Sequence, residues 1–122
     1  MPSVYNESKN YAASKQVVFK QTVAALNALG FRIKNSNEAS GFIEAEKDIS
    51  VQSWGEKIKI TVTSSTAGSQ VNVESKAAYL LQAVDWGKNK ENVQRILTDL
   101  DSRVAAYSST PPPPPPPPPP SP

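Results

Sequence analysis

Between Lys88 and Tyr107 the apolar residues Val93, Ile96, Leu97, Leu100, Val104 and Tyr107 recur at helical spacing. They form one stripe on an α-helix whose other faces are polar. A helix with one such stripe is stable only when the stripe is covered, so the rest of the chain must supply a matching apolar surface. Lys57 to Thr63 supplies part of it. Ile58, Ile60 and Val62 alternate there with Lys57, Lys59, Thr61 and Thr63, the pattern of a strand with one buried and one wet face.

Three further segments alternate in the same way: Phe31 to Lys34, Phe42 to Glu46 with Ile43 and Ala45 on one side, and Gln70 to Ser75 with Val71 and Val73 inward. Turn formers separate them, at Asn35 to Gly41 and around Gly68. A second helix is expected near residues 15–29. Ser14 is positioned as its N-cap, Val18, Phe19, Thr22, Ala25, Leu26 and Leu29 mark its face, and Gly30 lies at the left-handed terminating position. Lys9 to Ala13 is compatible with a short edge strand. Lys76 to Val84 is too apolar for a free loop and is expected to pack over an edge of the core.

The expected fold is therefore α+β. It is a two-layer sandwich in the order α-β-β-β-β-α, in which an antiparallel sheet of about four strands, with a possible short fifth at the N-terminus, carries both helices on one face. Residues 1–107 form a single domain of ordinary size in this reading. Ser108 to Pro122 is a proline-rich tail or linker. Its ten consecutive prolines, Pro111 to Pro120, favour polyproline II, with a reach of about 30 Å, and read first as a spacer rather than as a ligand for an aromatic groove.

Composition narrows the chemistry. The chain has no cysteine and no histidine. Thiolate catalysis, zinc–thiolate sites and histidine acid–base chemistry are thus excluded, and no cofactor, metal site or enzymatic activity is expected. Thirteen basic residues against eleven acidic ones, intermixed along the chain, leave no basic stripe for nucleic acid. The outer sheet face, with Arg32, Lys34, Glu44, Glu46, Lys57, Lys59, Asn72 and Glu74, lacks the aromatic side chains an RNA-binding sheet needs. No stretch approaches the roughly 20 apolar residues that span a bilayer, and Met1 to Tyr11 has no apolar leader, so a cytoplasmic location without membrane insertion is expected.

Two Trp-Gly motifs stand out: Ser53-Trp54-Gly55-Glu56, and Asp85-Trp86-Gly87-Lys88-Asn89 with Asn92 three residues on. With Leu29-Gly30-Phe31 and Gly41-Phe42-Ile43, they resemble an uncharacterised family of small bacterial α+β domains, over about Ser14 to Val104. The resemblance implies a fold and no activity. Some members of that family carry a C-terminal tethering or oligomerisation segment beyond a linker.

The candidate ligand- or partner-binding residues are Trp54, Glu56, Tyr79, Asp85, Trp86 and Lys88. The two indoles would stack on a ligand at the rim of a groove, and Glu56 with Asp85 would form a carboxylate pair. Structural roles compete with each of these. An indole beside a glycine caps a core end, Asp85 caps the second helix, Glu56 pairs with Lys88, and Asn89 and Asn92 serve the helix start. Two functions are compatible with these residues. One is a non-catalytic interaction or accessory domain, tethered through the polyproline spacer to a protein partner or an attached downstream domain. The other is a small-molecule or lipid-binding domain with its pocket between sheet and helices.

Overall fold

A computed structural model describes residues 4–47, 55–77, 87–109 and 117–120. The elements run β1 (Val4–Tyr11), α1 (Lys15–Ala28), β2 (Arg32–Asn37), β3 (Phe42–Lys47), β4 (Glu56–Ser65), β5 (Gly68–Ala77) and α2 (Lys88–Ser109). The sheet has five antiparallel strands in the spatial order β1-β5-β4-β3-β2. The architecture is α+β as expected, but the order is β-α-β-β-β-β-α, with five strands and not four.

The correction falls on β1. It spans eight residues rather than a short stretch near Lys9, and it pairs along its whole length with β5, from Val4 opposite Lys76 to Tyr11 opposite Ser69. Its helix-facing residues are Tyr5, Glu7, Lys9 and Tyr11, so it has no apolar alternation for hydrophobic periodicity to detect. The backbone ladder with β5, the packing of Tyr5 and Tyr11 against the core, and the contacts of Lys9 and Tyr11 with Asp101 of α2 hold it in place.

The remaining elements follow their local chemistry. Ser14 caps α1, its Oγ accepting from the Val17 amide at 3.3 Å. At the other end the Phe31 and Gly30 amides donate to the Leu26 and Asn27 carbonyls at 2.9 and 3.2 Å, a Schellman closure with Gly30 at φ 84°. The strand β2 continues to Asn37, into the segment rich in turn formers, with a register shift between Ile33 and Asn35. Of Lys76 to Val84, the first two residues belong to β5, and the rest lie outside the described residues.

One hydrophobic cluster joins the layers. Ile43, Ala45, Ile58, Ile60, Val62, Val71 and Val73 from the sheet meet Val18, Phe19 and Leu26 of α1 and Val93, Ile96, Leu97, Leu100 and Val104 of α2. Both helices therefore cover the same face, and most of these residues are wholly buried. The opposite face presents Lys57, Lys59, Thr61 and Thr63 to solvent. No helix among the described residues is long and apolar enough to cross a membrane.

Candidate functional site

The same alternation that buries Ile58, Ile60 and Val62 turns Glu56, the first residue of β4, toward the helices. It is 1% exposed, flanked in register by Lys47 of β3 and Ala77 of β5. On β5 the inward series Val71, Val73 continues to Ser75, which is fully buried. The apolar stripe of α2, extended one turn toward its start, passes through Asn92 and Asn89. These are 2% and 0% exposed and face the sheet.

These four polar side chains form a network. The Asn92 amide nitrogen donates to Glu56 Oε1 at 2.9 Å and lies 3.4 Å from Ser75 Oγ. The Ser75 hydroxyl donates to Asn89 Oδ1 at 2.8 Å. A carboxyl group buried this deeply is tolerable only when hydrogen-bonded, and each donor here comes from an element that must dock for the core to close. The network thus ties the starts of β4 and α2 to the end of β5, at one end of the sandwich.

Glycines with positive φ precede both sides of the network, Gly55 at 88° and Gly87 at 78°. A side chain at either position would be strained, so the glycine of each Trp-Gly pair serves the approach of the backbone to Glu56 or to the first turn of α2. That first turn is closed by the Glu91 amide donating to the Gly87 carbonyl at 2.9 Å.

Of the six candidate residues, Glu56 and Lys88 are described, while Trp54, Tyr79, Asp85 and Trp86 lie outside the described residues. Glu56 is joined to Asn92 instead of to Lys88. The Lys88 ammonium pairs with Glu91 at 3.3 Å on the surface of the same helix. Asn89 and Asn92 do sit at the helix start, but they turn their side chains to the interior. Ser75 joins the site unannounced by any motif. Its place on the inward side of the β5 alternation was the available signal.

Among the described residues no cluster of three or more carboxylates could hold a metal ion. An open groove of about 520 Å³ lies on the outside of α2, bordered by Leu29, Lys90, Gln94, Arg95, Thr98 and Asp99. It lies on the solvent side of the helix, away from Glu56.

The fold defines a class: an antiparallel sheet gripping a long C-terminal helix on one face, with a shorter helix after the first strand. Solved structures to which the chain is similar include the following three. Ara h 8.0201 superposes with a TM-score of 0.62 at 12% identity, over 87% of this chain and 99% of that one. An uncharacterised protein from Rhizobium leguminosarum gives 0.56 at 11%, over 87% and 96%. TTHA0849 from Thermus thermophilus gives 0.53 at 12%, over 88% and 100%. At such identities the likeness is one of fold alone. No family model matches the chain, and no curated protein does.

Proposed function

We propose that this chain is a non-catalytic interaction or accessory domain, tethered by its polyproline segment to a protein partner or a further domain and working in the cytoplasm. The observation that carries this reading is the burial of Glu56. The one carboxyl group in the Trp-Gly motifs that the structure describes is sealed from solvent and engaged by Asn92, where it joins elements rather than meeting a reactant. Between sheet and helices the described residues form one apolar cluster, bounded at one end by the Glu56 network, which favours recognition by the outer surface.

The alternative is a small-molecule or lipid-binding domain whose pocket lies near Trp54, Tyr79 and Trp86. Intrinsic fluorescence separates the two, because Trp54 and Trp86 are the chain's two tryptophans. Titration with a panel of metabolites, fatty acids and phospholipid vesicles is expected to leave the emission unchanged. A saturable shift with any of them would replace the accessory reading with the ligand-binding one.

A further inference from the structure

The two edges of the sheet differ in how they are defended. On β2 the edge carries two like charges, Arg32 and Lys34, with the register shift between Ile33 and Asn35, features that discourage pairing with a second copy of itself. On β1 the edge is eight residues long, regular throughout, and among the described residues it pairs as a strand with β5 alone. Its central sequence is Tyr5-Asn6-Glu7-Ser8-Lys9-Asn10-Tyr11, which reads nearly the same in both directions about Ser8. The two positions that break the symmetry, Glu7 and Lys9, carry opposite charges.

We propose that the protein self-associates through β1, two copies pairing antiparallel about a twofold axis at Ser8 so that their sheets become continuous. In that register Ser8 faces Ser8 of the second copy and Asn6 faces its Asn10. Glu7 meets its Lys9 and Tyr5 meets its Tyr11, each pair twice by symmetry. Directly opposed residues share a face of the sheet. The Glu–Lys and Tyr–Tyr pairs thus lie on the helix side, and the Ser and Asn pairs lie on the outer face beside Asn72, whose amide already contacts Asn6 and Ser8. Val4, one of the chain's exposed large apolar residues at 48%, comes opposite Ala12 of the second copy.

The charges remain free to serve this contact. Lys9 pairs with Asp101 within the chain while its side chain stays 45% exposed, and an ammonium group has three donors. Glu7 accepts from the Tyr5 hydroxyl at 2.9 Å through one oxygen and keeps the other. Slipping the register by two residues would destroy both charge pairs and both tyrosine pairs together. The sequence therefore specifies this alignment against its neighbours.

A single edge contact is small, so the dimer is weak and reversible. The test uses the full chain. Sedimentation equilibrium is expected to give a concentration-dependent monomer–dimer mixture, and one monomeric species up to about 1 mM would overturn the proposal. Because the chain has no cysteine, Ser8→Cys introduces a lone thiol. Opposed residues in an antiparallel pair have Cα atoms about 4.5–5.5 Å apart, within disulfide reach. Mild oxidation should give a covalent dimer with Ser8→Cys and none with the exposed control Ser64→Cys. A monomeric oxidised Ser8→Cys, or equal crosslinking of both, would overturn it. Glu7→Lys opposes like charges twice and should weaken dimerisation about tenfold or more while the circular dichroism of the monomer stays unchanged. Dimerisation at the original strength by that variant would assign the interface elsewhere.

Discussion

The Tyr11 hydroxyl donates to Asp101 Oδ1 at 2.7 Å, joining the last residue of the first strand to the final helix across ninety positions of sequence. Lys9 holds the other oxygen of the same carboxylate. These contacts fasten the edge strand, which has few apolar residues of its own, to the element that closes the core. Their energetic worth is open to measurement through pH.

Burial, and then the hydrogen bond to Asp101, raise the Tyr11 phenol above its ordinary value. The neutral form is thereby favoured in the folded state. Its contribution is complete below the unfolded phenol's value, about 10, and is lost as pH rises beyond it, because the unfolded chain then ionises while the folded one resists. Tyr11→Phe should cost about 1–2 kcal/mol near pH 8. The gap between the two proteins should narrow in denaturant melts taken toward about pH 11. A gap that is constant or widens with pH would show that the hydroxyl is not held in this way.

Removing Asn92 strips a donor from a buried carboxyl group. Asn92→Ala is therefore expected to destabilise the domain by about 2–4 kcal/mol in urea unfolding. Replacing both Asn92 and Glu56 by leucine should cost less than the sum of the single changes, since neither member of this hydrogen-bonded pair is then left buried without the other. Additive losses would indicate that the two side chains act independently.

At the centre of β4, Ile60 is fully buried between Ile43 of β3 and Val73 of β5 in the ladder. Ile60→Asp puts a carboxylate where nothing can pair with it, at a cost of several kcal/mol, comparable to the whole stability of a small domain. The variant should be unfolded by circular dichroism at room temperature. A native spectrum would refute the placement of β4.

Deletion of residues 110–122 is expected to leave the melting temperature and the amide spectrum of the domain unchanged. Ten prolines offer no backbone donors to a sheet or a helix, and their extended form is set locally. A melting temperature lower by several degrees would mean that the proline segment docks on the domain and serves it as more than a spacer.

The elements that bury an apolar face were legible from sequence. Spacing along Val93 to Val104 and alternation along Ile58 to Val62 are local consequences of helix and strand geometry, and each names its own buried side. Glu56, Ser75, Asn89 and Asn92 all lie on those same periodic faces, so their inward direction was also implied by parity. Their mutual contact was not. Glu56 and Asn92 are separated by thirty-six positions, and only the stacking of β3, β4 and β5 beneath α2 brings a strand start against a helix start. The strand β1 escaped detection for a related reason. Its inward residues are polar and aromatic, so nothing local marks its buried side, and the edge exists because β5 offers a ladder and Asp101 offers an acceptor. Periodicity is a property of one segment, whereas pairing of polar groups depends on which segments meet, and that is settled by packing of the whole chain.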